Sequence, residues 1–339
     1  MTNYATRKDI LYEDLIKSNN SNIDTLKYAD KKGSFNKSSL NDFSILKRIG
    51  RTPLIKIKNL TRNISPEVNV YAKAEWFNPG GSVKDRAALN MILEGEKKEL
   101  LNHNKIILDA TSGNTGIAYA MIAAVKGYNV KLVLPSNASK ERKKILSAYG
   151  AEVVLTDPLE GTDGSQKIAK EIYENDREKY FYPDQYNNPA NWQAHYKTTA
   201  NEIWQQTWGE ITHFICGLGT TGTFTGTSKR LKELNPEVQC IEFQPDSPLH
   251  GLEGLKHLPT SRIPVIYNEL LHDRMLEVST EESYAMVKQL AREEGLFVGI
   301  SSGASMAASL KVANEIESGT IVTIFADGGI KYLSENIWE

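Results

Sequence analysis

The stretch "NPGGSVKDRAA", residues 78–88, decides how the rest of the chain is read. Two glycines and a serine lead into Val83, Lys84, Asp85 and Arg86, and the continuation "DRAALNMILEGEKKEL" has helical spacing. Lys84 therefore falls in the first turn of a helix. Aligned peptide dipoles put partial positive charge there, which suits Asp85 and disfavours a cation. A lysine held at such a place and taken out of water has a lowered pKa and a nucleophilic amine, the kind that forms Schiff bases. Local sequence alone fits equally well an exposed lysine in a solvated salt bridge.

Outward from this stretch the chain alternates. Apolar, β-branched runs are followed by helical stretches: "NVYAKAEW" before Lys84, then "KIILDA", "NVKLVLP" and "AEVVLT", each with a helix after it. The second half repeats the habit with "THFICGLG", "VQCIEFQP", "LFVGIS" and "IVTIFAD", and with helices expected over 224–234, 281–294 and 303–317. Such alternation predicts an α/β fold of two open, mainly parallel twisted sheets flanked by helices. The expected division is a polar extension over 1–43, an N-terminal α/β domain over 44–188 and a C-terminal α/β domain over 189–339, with a seam near "YNNPAN". The extension is rich in Asn, Ser and Lys, and its "KDILYEDLIK" fits one short amphipathic helix.

Composition narrows the function classes. The chain has 339 residues, 40% hydrophobic and 24% charged, with a net charge of −2, so neither nucleic acid nor an anionic membrane surface is indicated as a partner. No apolar run approaches the roughly 20 residues of a membrane span. The N-terminus lacks an apolar signal core, and the two cysteines, Cys216 and Cys240, lie in strand-like runs. A cytoplasmic protein with buried thiols is expected. No Cys/His cluster has metal-ligand spacing, so no metal is expected.

Four loops between strand and helix are rich in Gly, Ser, Thr and Asn, at the carboxyl ends of strands where open parallel sheets bind ligands. "GLGTTGT", residues 217–223, can converge backbone N–H groups and threonine hydroxyls on a phosphate at a helix N-terminus. It also matches G-x-G-x-x-G, a dinucleotide reading that needs an acidic residue further on; Glu242 is the candidate, with its direction unresolved. "TSGNTG", residues 111–116, offers neutral donors suited to an amino-acid carboxylate, or a plain helix cap. In "GISSGAS" Ser301 or Ser302 can cap the following helix. A phosphate cradle without its own lysine, and a lysine at a separate glycine-flanked helix start, together point to pyridoxal 5′-phosphate, which carries a phosphate and an aldehyde.

The ordered motifs "IGRTPLIKI", "PGGSVKDRAA", "TSGNTGIA", "DQYNNPAN", "EIWQQTWGEITHF", "GLGTTGTFTG", "EGLFVGISSGA" and "DGGIKYLS" resemble the fold-type II (tryptophan synthase β-like) pyridoxal-phosphate enzymes. Within them the chain from about 44 to 335 is most similar to the cysteine synthases, the O-acetylserine sulfhydrylases, and to their B-type isozyme. The resemblance implies β-replacement on an O-activated L-serine, acetylated or phosphorylated, with a sulfur donor to give L-cysteine, in an enzyme expected to be a homodimer. It implies Lys84 as the Schiff-base lysine and general base. It implies Asn114 at the cofactor's ring hydroxyl and Ser301 at its pyridine nitrogen, with Gly219, Thr220, Thr221, Gly222 and Thr223 at its phosphate. Thr111, Ser112, Gly113, Asn114, Thr115 and Gln185 would hold the substrate carboxylate. A serine does not keep the ring nitrogen protonated as an aspartate would, which suits elimination and addition at Cβ better than transamination. Cystathionine β-synthase-like chemistry and serine/threonine dehydratase-like elimination share the same core.

Three positions depart from the family pattern. "TTANEIW" stands where "TTGPEIW" is usual, giving Ala200 and Asn201; Ala326 replaces a cysteine of the B-type pattern; and "GLKHL" gives Lys256 and His257 where that pattern has two arginines. The last pair is expected either to form a basic lip for an anionic leaving group or donor, or to be a solvated lysine beside a packed histidine.

Overall fold

The computed structural model describes residues 44–111 and 113–338. The expected N-terminal extension, 1–43, and Ser112 lie outside the described residues. Ten strands form two sheets: β1 (Leu54–Lys56), β2 (Val68–Ala74), β3 (Ile106–Ala110), β4 (Asn129–Pro135), β5 (Glu152–Thr156), β6 (Tyr180–Phe181), β7 (His213–Gly217), β8 (Gln239–Pro245), β9 (Arg274–Val278) and β10 (Gly319–Phe325). Nine α-helices accompany them among the described residues: α1 (Lys84–Lys97), α2 (Asn114–Lys126), α3 (Lys140–Ala148), α4 (Gly161–Asn175), α5 (Pro189–Lys197), α6 (Thr199–Gln206), α7 (Gly222–Leu234), α8 (Thr280–Glu293) and α9 (Ile300–Ala313). None of these is long and apolar enough to cross a membrane.

The smaller sheet has the order β5-β4-β3-β6 and is parallel throughout. The larger has the order β1-β2-β10-β7-β8-β9, parallel except for β1, which runs against β2. Interior strands such as β3 and β10 read as near-continuous apolar runs because helices cover both faces. On one face of the larger sheet Val287 and Leu290 of α8 and Ala304, Met306 and Ala308 of α9 fill the core; on the other Ile203 of α6 and Phe224 and Leu231 of α7 do so. The smaller sheet buries Met91, Ile92, Ile117 and Leu146 on one face and Ala169 on the other.

The two-sheet α/β class matches the expectation, and several elements differ from it. Residues 54–74, grouped by sequence with the first domain, supply two strands of the larger sheet, so the smaller sheet is inserted between β2 and β7. "LFVGIS" is not a strand: Val298 makes a single bridge to Gly328 and α9 begins at Ile300, because Gly299 leaves no room beside Asp327 for a side chain to continue the ladder. The expected seam at 186–191 opens a helix instead, with Asn188 accepting from Ala190 N and Pro189 at the first helical position. Ala200 and Asn201, where glycine and proline are usual, lie in the first turn of α6.

One polar cluster fixes where α1 starts. Arg86, its side chain 1% exposed, grips Glu75 with two bonds of 2.7 and 2.8 Å and Glu202 with two more of 2.7 and 2.8 Å. Lys73 completes the set, donating to Glu202 at 2.7 Å, to Thr52 O at 2.6 Å and to Gln206 at 2.9 Å. Two cations and two carboxylates thus balance in a buried space that joins β2, α1 and α6. Burial would raise the Glu202 pKa, but hydrogen bonds from Arg86 and the Arg86 and Lys73 charges bring it down to about 2.

Arg86→Met strands two carboxylates, and the expected loss of stability in urea unfolding is about 3–5 kcal/mol. For Glu202 the depressed folded pKa makes its contribution complete above the ordinary carboxylate value and lost as pH falls toward the folded one. The stability gap between the parent and Glu202→Gln is therefore expected to be flat near neutrality and to close between about pH 4.5 and pH 2; a gap that persists to pH 2 contradicts the ion-pair account.

Candidate active site

The carboxyl ends of β7 and β10, the start of α1 and the starts of α2, α7 and α9 face one cleft. Its wall includes Lys84, Asn114, Gly219, Thr220, Thr221, Thr223 and Ser301, together with Arg142, Cys216, Glu253 and Tyr332. Gly222 opens α7 directly beside it. Seven of the residues singled out from sequence thus come together from four separate loops.

Lys84 is the first residue of α1, after Val83, which has helical torsions and no side-chain cap. Its amine has no hydrogen-bond or ion-pair partner among the described residues. Burial pushes its pKa below the usual lysine value, against Asp327 and Cys216, which act in the other direction. The neighbouring Asp85 turns back to accept from Gly80 N at 2.5 Å, which caps the glycine turn instead of pairing the lysine. Burial raises the Asp85 pKa to about 7.

Opposite lies the loop of residues 217–223. Thr221 sits in the left-handed region at φ 67°, a strained conformation for a β-branched residue, and its buried hydroxyl has no partner. Gly219 lies so close to the Gly254 carbonyl that an added methyl would collide with it. Two α5 side chains support the loop. Asn191 donates to Gln185 O at 2.7 Å and to Thr220 Oγ1 at 3.1 Å. His195 bridges Thr199 at 2.9 Å and Thr223 at 3.4 Å, and burial, aided by Arg86, lowers its pKa to about 3, so the ring is neutral at working pH. The α7 start borders the cleft, and the N-terminal end of a helix favours anions.

The expected substrate loop is divided. Asn114 lines the cleft, while Thr111, Thr115 and Gln185 are buried behind it. Thr111 Oγ1 accepts from Gly113 N at 3.0 Å and Gly116 N at 3.2 Å. Thr115 donates to Gln185 Oε1 at 2.8 Å, and Gln185 donates to Ala110 O at 2.5 Å. Gly113, at φ 138°, has Arg142 pressed against its Cα.

Sequence reasoning missed several residues of the cleft. Arg142 is 2% exposed, ion-paired with Glu253 across the cleft and stacked 4.7 Å from the Tyr332 ring centroid. Asp327 and Lys331 flank Asn114. The signal for these two was the "DGGIKYLS" motif, which had been given no chemical role. Two expectations change. Lys256 does not face the cleft as a free cation: it donates to Asp163 at 2.7 Å and lies 5.3 Å from the Tyr186 ring centroid, while His257 bonds Thr260 at 2.8 Å. Glu242 is fully buried against Tyr267 and His272, away from the glycine loop, which removes the acidic partner of the dinucleotide reading.

Comparison with known proteins agrees with this geometry. The profile of the family described as "Pyridoxal-phosphate dependent enzyme" matches residues 45–327. The chain is 52% identical over 296 residues to the "Cysteine synthase" of Aquifex aeolicus, covering 86% of this chain and 90% of that one. It is 43% identical over 290 residues to "Cysteine synthase B" of Escherichia coli, covering 86% and 94%. A solved structure described as an "O-acetylserine dependent cystathionine beta-synthase" from Helicobacter pylori superposes with a TM-score of 0.83 at 37% identity, over 88% of this chain and 99% of that one.

Gly219→Ala must move the loop away from Gly254 and misalign its donors. The expected result is affinity for pyridoxal phosphate reduced about tenfold or more, about 1.4 kcal/mol, in an absorbance titration. Parent-like affinity would mean that the loop is not the anion site.

Proposed function

The chain belongs to the fold-type II pyridoxal-phosphate dependent enzymes, and on that premise we propose that it forms L-cysteine by β-replacement on an O-activated L-serine, O-acetylserine, with a sulfur donor. The observation that carries this reading is an unpartnered, desolvated Lys84 amine facing a glycine–threonine cradle with an unpartnered buried hydroxyl. That donor set fits a phosphate ester that also bears a carbonyl. Pyridoxal phosphate, when bound, supplies an aldehyde that condenses with amines and a ring that withdraws electrons from the substrate α-carbon. Its cofactor chemistry is common to the family; what this chain adds is the arrangement around it.

In this reading Gly219, Thr220, Thr221, Gly222 and Thr223 hold the phosphate at the α7 start. Lys84 Nζ anchors the cofactor and then takes the substrate α-proton, a task suited to an amine whose pKa burial has lowered. Ser301 offers the ring nitrogen a hydroxyl and no carboxylate, which favours elimination and addition at Cβ. Asn114 donates to the ring oxygen. The 111–115 loop receives the carboxylate through N–H groups at the α2 start, with Thr115 held by Gln185. Arg142 and Glu253 bridge the mouth and restrict water. A homodimer in the cytoplasm belongs to the same proposal. The likeness to the Helicobacter pylori structure supports a second reading that differs only in the nucleophile, a larger thiol in place of sulfide. Mass-spectrometric product analysis with O-acetylserine and either sulfide or homocysteine decides between them: cysteine as the preferred product is expected, and preferred cystathionine overturns the first reading.

Borohydride reduction of the purified protein is expected to leave the pyridoxyl mass on the peptide containing Lys84, and a label on another lysine contradicts the assignment. Lys84→Ala is expected to lower kcat/KM by about 10²–10⁴-fold or more through loss of the base. Ser301→Ala removes one neutral hydrogen bond of about 1 kcal/mol and is expected to cost only about fivefold with the cofactor retained; equal inactivation of the two variants would refute this role for the serine.

A further inference from the structure

The segment after β10 ties the site together. Ala326 O accepts from Val83 N at 2.9 Å and Asp327 O from Gly299 N at 3.0 Å, so the residues preceding Lys84 and Ser301 hang on one loop. Within this loop Lys331 is 7% exposed, and its ammonium makes three bonds: to Gly80 O at 3.0 Å, Gly81 O at 3.0 Å and Asn114 Oδ1 at 2.7 Å. Three acceptors use all three of its protons. On the other side, Asn114 Nδ2 donates to Asp327 Oδ2 at 2.8 Å, an oxygen that also accepts from the Tyr332 hydroxyl at 2.9 Å. A cation on the amide oxygen and a carboxylate on the amide nitrogen leave only one orientation for Asn114. A single Nδ2–H then remains for a molecule in the cleft.

We propose that Lys331 is a positioning residue of the site, acting through Asn114 to aim that remaining N–H at the ring oxygen of the bound cofactor. This rests on the function proposed above. A neutral side chain at 331 would remove one of the two restraints on the amide, so that Asp327 alone holds Asn114 and its remaining N–H is aimed less firmly. Arginine, which keeps the charge and several donors, would preserve the arrangement in part.

The test uses the full-length holoenzyme and follows loss of the visible cofactor band on dilution, alongside thermal melting, for K331M, K331R, N114A and the K331M/N114A double variant. K331M is expected to release the cofactor about tenfold faster, K331R to stay within about threefold of the parent, and the double variant to match N114A alone, because the two residues act as one unit. Release from K331M within about twofold of the parent overturns the proposal, as do losses that multiply in the double variant, which would make Lys331 a structural support only. Should K331M fail to fold, the same cycle is run with K331Q and the same two outcomes overturn it. A parent protein that shows no visible band with added pyridoxal phosphate refutes instead the functional reading on which this rests.

Discussion

The interaction on which the rest depends is the closed ion-pair set of Arg86, Lys73, Glu75 and Glu202. It sits within one helical turn of Lys84 and neutralises two carboxylates there. Both are engaged by bidentate Arg86 bonds, and Lys73 donates a further bond to Glu202. Lys84 has no partner among the described residues, and on its amine burial outweighs Asp327 and Cys216, which act the other way. A solvated or paired lysine would be protonated and inert; the chemistry needs one that is neither. The cluster also binds β2 to α1 and α6, which keeps the helix start registered against the carboxyl ends of the larger sheet.

A second set of contacts works across the cleft rather than beneath it. Arg142–Glu253, Lys256–Asp163 and Ser139–Lys331 O each join the part of the chain carrying the smaller sheet to the loops of the larger one. The two cations, Arg142 and Lys256, are buried, while their carboxylate partners are partly exposed. Their effect is geometric: they bring the α2 start and the phosphate cradle to a common separation. Asn191 does the same from behind, touching Gln185 and Thr220 at once, so the expected carboxylate loop and phosphate loop share one support.

Much of this was legible in the sequence because it is local. Strand–helix alternation, the glycines before Lys84 and the hydroxyl-rich loops each lie within a dozen residues, and they led to the two sheets and to most of the cleft wall. What escaped is long-range or weakly patterned. β9, "RMLEV", is an edge strand with only Leu276 and Val278 buried, too few for a period-two signal. The partners of Asn114 lie more than 200 residues away, and no spacing rule joins Lys331 to it. Lys256 reads as a free cation until Asp163, 93 residues earlier, is seen beside it. Gln185, expected at the substrate carboxylate, also accepts from Thr115 and donates to Ala110, contacts that only packing reveals.

The position of β10 has a consequence for how the molecule comes into being. This strand follows the other nine in chain order, yet it lies in the middle of the larger sheet, with β2 on one side and β7 on the other. While the ribosome is still at work, the smaller sheet has all of its strands and can form, but the larger is split into two halves with exposed edges at β2 and β7. Joining them closes loops of roughly 100 to 250 residues, slow steps by loop-closure entropy. The nascent chain therefore carries open strand edges until β10 emerges, and that interval, more than the finished fold, is when it is open to misassembly.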